Sequence, residues 1–171
     1  MTIQEFLTLR LNQIKDIPKI KEYNKALVAK YPWLVDREWN PNTDTYYVRE
    51  DETYLTTWLD DMPDGWRIAF SEKMCEEIQK ELERTNFVDK YYIVQVKEKY
   101  GGLRWYTGGV PADSFLDEIA VKYEKLSYAT CVECGKPAKW MCSGWISPYC
   151  TECRDELIAK SNYREQDFSK I

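Results

Sequence analysis

Four cysteines carry the best-defined chemistry in the sequence. Cys131-Val132-Glu133-Cys134 and Cys150-Thr151-Glu152-Cys153 form two C-x-x-C pairs with 15 residues between them. Two intervening residues let a tight turn aim both sulfurs of a pair at one ion about 2.3 Å away, and two such turns complete the tetrahedral thiolate set that zinc prefers. Gly135, directly after the first pair, can take the left-handed backbone that closes such a knuckle. Arg154-Asp155-Glu156-Leu157-Ile158-Ala159 reads as a helix, which places Cys150 and Cys153 at a helix N-terminus, where thiolate is favoured. Two disulfides or a dithiol redox centre are the competing readings. The N-terminus, Met1-Thr2-Ile3-Gln4-Glu5-Phe6, lacks the basic start and apolar stretch of a signal peptide, so a reducing cytoplasm is expected and the cysteines read as ligands of one structural zinc ion. Four thiolates leave no open position for water, and the ion is expected to stabilise the fold and to hydrolyse nothing. Cys142 lies between the pairs as an unassigned thiol, and Cys75 reads as a small helical residue.

A second constellation is Lys97-Glu98-Lys99-Tyr100-Gly101-Gly102-Leu103-Arg104-Trp105-Tyr106. Guanidinium forks phosphate and aromatic rings stack, so Lys97, Lys99, Tyr100, Arg104, Trp105 and Tyr106 are candidates for a ligand- or partner-binding surface, which Lys139, Trp140 and Trp145 of the cysteine-rich region can extend. The plainer account packs Tyr100, Leu103 and Trp105 inward and leaves the glycines only to turn the chain. Lys136, Lys139 and Arg154 have a plainer use too, offsetting the charge of about −2 on a zinc tetrathiolate. The glycine pair is not a phosphate loop, because the lysine-serine/threonine ending is missing.

Histidine is absent, which removes serine-histidine and cysteine-histidine catalysis. Asp60-Asp61 and Glu76-Glu77 are adjacent carboxylates, which on a helix point in different directions, so no catalytic residue is assigned and no enzyme is expected. A net charge of −5 gives no general attraction to nucleic acid. Cations dominate residues 1–30 and carboxylates residues 31–64, the latter a solvated acidic face or a docking surface for a basic partner.

These residues need elements to position them. Ile3, Phe6, Leu7, Leu11 and Ile14 recur at helical spacing until Pro18, and Ile20, Tyr23, Ala26 and Leu27 predict a second helix of a hairpin. Residues 33–51 read as a long loop that can hold a short strand at Tyr46-Tyr47-Val48; Thr53 can cap a short helix over Tyr54–Leu59, and Met62-Pro63-Asp64-Gly65 reads as a turn. Trp66, Ala69, Phe70, Met74, Ile78 and Leu82 predict one apolar helix face, with Glu81 among the residues left for water. Strands are expected over Tyr91–Lys97 and Leu103–Tyr106, joined through the positive φ angles of Gly101-Gly102. Asp113 or Ser114 can cap a helix with the face Leu116, Ile119, Ala120, Tyr123 and Leu126. The fold class is therefore α+β, mostly helical, with a β-hairpin and a C-terminal four-cysteine zinc finger of treble-clef or ribbon type. The expected organisation is an α+β domain over residues 1–129, a finger packed on it over 130–160, with a short hairpin through Lys139–Trp145, and a tail over 161–171.

Gly65-Trp66, the string Gln95–Tyr106, Cys131-x-x-Cys134-Gly135, Gly144-Trp145 and Cys150-x-x-Cys153 together resemble an uncharacterised family of small bacteriophage and prophage proteins, over about residues 65–155. The resemblance implies an accessory protein in a bacterial cytoplasm, and no activity comes with it. The expected function is non-enzymatic binding or inhibition of a host protein such as a defence factor; the alternative is binding of a nucleotide, RNA or DNA through residues 97–106 and the finger. No run approaches the roughly 20 apolar residues of a membrane span.

Overall fold

The computed structural model describes residues 2–5, 17–35, 37–43, 45–47 and 56–171. Of the first expected helix only residues 3–5 fall among these, and they are helical. Thr2 N–H donates to Glu5 Oε2 (2.7 Å) and Glu5 N–H to Thr2 Oγ1 (3.2 Å), a capping box that starts the turn. Helix α1 spans Ile17–Lys30. Pro18 sits in its first turn, where a missing N–H leaves no bond unmade.

The expected long loop contains more structure than the sequence suggests. Pro32–Leu34 form a 3-10 turn that buries Trp33 and Leu34, and β1 (Glu38–Asn40) pairs antiparallel with β2 (Thr45–Tyr47). Three-residue strands are too short to show a period, so β1 has no signature. Val48 and the segment Thr53–Leu55 lie outside the described residues. The described part of the expected short helix is a 3-10 turn over Trp58–Asp61, started by Thr57, whose N–H donates to Asp60 Oδ2 at 2.6 Å.

Met62-Pro63-Asp64-Gly65 is not a turn. Helix α2 (Asp64–Trp66) passes through a π-helical stretch (Arg67–Ser71) into α3 (Glu72–Thr85) without a break. Trp66, Phe70, Met74, Ile78 and Leu82 are buried as expected. The wider turn of the π stretch shifts the phase around it. Ala69 is thereby exposed, while Arg67 and Ser71 are buried. Arg67 Nη1 reaches Asp60 Oδ1 at 2.8 Å, a pair sealed from water on both sides. The helix ends where Asn86 adopts φ +55 and Phe87 N–H donates back to Leu82 O.

Strands β3 (Tyr92–Lys99) and β4 (Gly102–Gly108) form the expected hairpin. The register pairs Val96 with Trp105, Glu98 with Leu103 and Lys97 with Arg104. Val96 and Leu103 face the core, and the alternate residues Gln95, Lys97 and Lys99 share the other face with Arg104 and Tyr106. The turn differs from expectation. Its two central residues are Tyr100 (φ +54) and Gly101 (φ +80), and Gly102 belongs to β4, because two-residue hairpins of this twist need two successive positive φ angles.

Helix α4 (Leu116–Tyr128) lies beside β4, with Ser127 Oγ accepting Leu103 N–H at 2.9 Å. Neither Asp113 nor Ser114 caps it. Phe115 N–H is taken by Glu81 Oε1 at 2.7 Å, which is why Glu81 is buried and not in water; Arg84 binds the same carboxylate. Leu126, expected on the inner face, is exposed.

In the C-terminal part β5 (Trp140–Cys142) pairs with β6 (Pro148–Tyr149), which leads into α5 (Thr151–Lys160). The expected tail is not one. Residues Phe168–Lys170 form β7 on the other side of β5, giving the order β6-β5-β7, and Phe168 is buried against Tyr149 and Tyr163. Burial of one aromatic ring holds a segment too short and polar to announce itself. The chain is thus a mixture of helix and sheet, and its described residues form two apolar clusters, one large around Trp33, Trp66 and Leu103 and one small around Tyr149 and Phe168. Among the described residues no helix is long and apolar enough to cross a membrane.

Candidate metal centre and the adjoining cleft

The four sulfurs of Cys131, Cys134, Cys150 and Cys153 lie within 4.8 Å of one another, close enough to hold one metal ion. The local backbone explains the convergence. Cys131 N–H donates to Lys136 O (2.8 Å) and Gly135 N–H to Cys131 O (3.0 Å), and Gly135 takes φ +76 to close the knuckle. Cys150 is the N-cap of α5, its Sγ accepting Cys153 N–H at 3.4 Å. Cys131 and Cys150 are buried, Cys134 and Cys153 partly so.

The thiols also interact with one another. Burial opposes ionisation of Cys134, yet the Lys136 N–H and the neighbouring thiols donate to it and hold it below the ordinary thiol range. Burial pushes Cys150 up to about 11, and burial with hydrogen bonds to Cys134 and Cys150 pushes Cys153 up as well. A divalent cation bound among these sulfurs would favour the thiolate form of its ligands.

A second joint fastens the quartet to the rest of the chain. Gly65 N–H donates to Val132 O at 2.9 Å, and Trp66 Nε1 donates to Thr130 O at 2.9 Å in a buried position. A Cβ on Gly65 would lie 2.2 Å from the Cys131 carbonyl oxygen, and one on Gly135 would lie 2.5 Å from the Gly65 oxygen. The start of the long helical run and the knuckle therefore require glycine on both sides. Cys142 is buried in the smaller cluster and is not one of the four converging sulfurs, and Cys75 is buried in α3, where desolvation raises its thiol far above the ordinary range.

The hairpin candidates separate into two groups. Arg104 is engaged by Glu124 and Tyr128, and Trp105 turns to the large cluster, donating to Tyr91 OH at 3.0 Å with its ring 6.2 Å from Trp33. Trp140 is covered by the Arg154 guanidinium, 3.9 Å from its ring, with Lys170 at 5.6 Å, while Lys139 is exposed. Lys97 and Lys99 lie over the rings of Tyr106 and Tyr100 at 5.6 and 5.5 Å. Tyr100 and Trp145 are exposed to 67% and 68%, the two highest values among large apolar side chains of the described residues.

Both rings line one cleft. An open cleft of about 290 Å³ is lined by Glu98, Lys99 and Tyr100 from the hairpin tip and by Gly144, Trp145 and Ile146 from the loop between β5 and β6. Gly101 at the tip approaches Met141 and Ile146, so the two elements are in contact at the cleft floor. Glu98 Oε1 accepts Gly101 N–H at 2.6 Å and steadies the turn. Ile146 and Glu98 were not among the sequence candidates; adjacency to Trp145 and Lys99 was their signal, and only the packing of tip on loop turns it into a site. Comparison with protein-family models, curated proteins and solved structures finds no match to this chain.

Proposed function

We propose that the chain is a non-enzymatic binding protein, built around one zinc ion, that grips a protein partner in the cleft between the hairpin tip and the finger loop. The carrying observation is that the two most exposed aromatic side chains among the described residues, some 45 positions apart in sequence, wall a single cleft. Buried aromatics and an apolar pocket are what protein interfaces use as anchors. The backbone supports the reading: Tyr100 occupies a positive-φ position that asparagine or glycine fills at lower cost, so the ring is held there against a local preference of about 1 kcal/mol.

Zinc is the ion that four thiolates on two C-x-x-C turns suit best, and knuckle, strand pair and helix follow in treble-clef order. Its task is mechanical. Cys150 directly follows β6 and Cys131 precedes β5, so the ion holds the base of the loop that presents Trp145. A nucleotide site would rest on Arg104 and Trp105, and both side chains are already engaged, which favours a protein ligand. The motif resemblance supports a phage-encoded accessory protein whose partner is a host factor.

The test is affinity capture from a bacterial lysate with the native chain, with Tyr100→Ala/Trp145→Ala, and with Phe115→Ala as an exposed aromatic change elsewhere. Specific proteins should be recovered by the native chain and by the Phe115 variant and lost from the double variant, with melting temperatures unchanged. Equal recovery by all three, or no recovery above background, overturns the reading.

A further inference from the structure

We infer that the segment held in this cleft is an extended acidic peptide: an apolar or aromatic side chain enters between Tyr100 and Trp145, and carboxylates two residues apart meet Lys99 and Lys97. The inference rests on the protein-binding reading above and narrows its partner. Lys99 is both a cleft-lining residue and a member of the outward face of β3, on which Lys97 is the next side chain. Alternate side chains on a strand are about 7 Å apart, the same repeat that an extended peptide presents along one of its own faces. The cations therefore continue the cleft as a track with peptide spacing.

Charge decides what can follow that track. Among the described residues no carboxylate pairs with Lys97 or Lys99; each ammonium lies over a tyrosine ring and keeps its positive charge uncompensated. Of the nearby carboxylates, Glu124 is paired with Arg104, and Glu98, at the cleft edge, is turned to the Gly101 N–H and forms no salt bridge with either lysine. A partner carboxylate would complete each cation without displacing an existing pair, whereas a partner cation would meet two ammonium groups. A nucleic-acid strand is also anionic, but its affinity needs several free cations and a chain that does not repel it. Here the third cation of the hairpin is neutralised by Glu124, which leaves two, enough for two carboxylates but few for a phosphate track. The apolar lining that Ile146 and Trp145 supply suits a side chain better than a sugar-phosphate backbone.

The test is selection of short random displayed peptides on the zinc-loaded full chain, followed by fluorescence anisotropy of the enriched peptides against the native chain, Lys97→Glu/Lys99→Glu and Tyr100→Ala/Trp145→Ala. Labelled oligo-dT and oligo-U are titrated in parallel. The expected pool carries Asp or Glu at alternate positions beside an aromatic or leucine residue. The charge reversal should weaken such peptides at least about tenfold, with affinity falling as salt is added. Enriched peptides without carboxylates whose binding the aromatic double variant abolishes would overturn the acidic partner and leave the cleft reading standing. A pool indifferent to Tyr100 and Trp145, or no pool at all, would overturn both. Oligonucleotide binding that the charge reversal abolishes, without any peptide pool, would replace the peptide by a nucleic acid and overturn the inference.

Discussion

Gly65→Ala is the sharpest probe of how the metal centre is joined to the fold. The new Cβ would sit 2.2 Å from the Cys131 carbonyl oxygen and 2.7 Å from Gly135 N and Val132 C, all of them backbone atoms. Relief to ordinary contact requires a shift of about 1 Å, because backbone cannot rotate aside as a side chain does; overpacking of this kind costs about 1–3 kcal/mol. The shift also stretches the 2.9 Å bond from Gly65 N–H to Val132 O, worth about 1 kcal/mol. Alanine returns less than about 1 kcal/mol in helix propensity. The net loss is about 2–3 kcal/mol, which for a chain of this length lowers the melting temperature by about 5–10 °C. Because the displaced carbonyl belongs to Cys131 of the candidate metal centre, the same strain should appear as weaker binding of the proposed zinc ion, up to about a hundredfold in competition with a chromophoric chelator. Gly135→Ala strains the joint from the other side and adds the cost of alanine at φ +76. The double variant should lose less than the two single losses together, since both changes spoil one contact. A Gly65→Ala protein with native melting and native zinc affinity would refute the reasoning.

Cys150→Ser removes one of four thiolates and should abolish stoichiometric metal by elemental analysis, whereas Cys142→Ser, outside the quartet, should keep it. Phe168→Ala empties the space between Tyr149 and Tyr163; a loss of about 3–5 kcal/mol is expected, with faster amide exchange in β5 as the local readout. Glu81 is held below the ordinary carboxylate range by its bond to Arg84, opposed by burial and helped by the Phe115 N–H. Its ionised form thus favours the folded state, a contribution complete above about pH 4–5 and lost as pH falls through the lowered value. Glu81→Gln should flatten the acid limb of the melting-temperature profile relative to the native chain; parallel profiles would contradict this.

Much of the site was legible where chemistry fixes spacing. The cysteine quartet needs only two tight turns, and both the turns and Gly135 follow from local sequence. The core face of α3 was legible for a similar reason, since Met74, Ile78 and Leu82 keep its period. What stayed hidden depends on contacts between distant residues. Arg104 reads as a phosphate fork until Glu124, twenty positions later, is placed beside it. Glu81 reads as a surface carboxylate until the free N–H of Phe115 needs an acceptor. The π stretch at Arg67–Ser71 displaces Ala69 from the face its spacing assigns, and β7 exists only because β5 offers it an edge. Gly65 was noted as part of a shared motif, but its reason, a knuckle about 70 positions away, is tertiary.

The left-handed backbone at Tyr100 has a consequence for how the molecule would drift under selection. A library varied at this position and sorted for thermal resistance alone should move toward asparagine, the residue that the hairpin turn accepts with least conformational cost. Sorted instead for capture of the ligand, the same library should hold tyrosine. The hairpin tip is then a place where two fitness criteria pull one codon in opposite directions, and the divergence of the two outcomes would measure how much of this turn is kept for the partner.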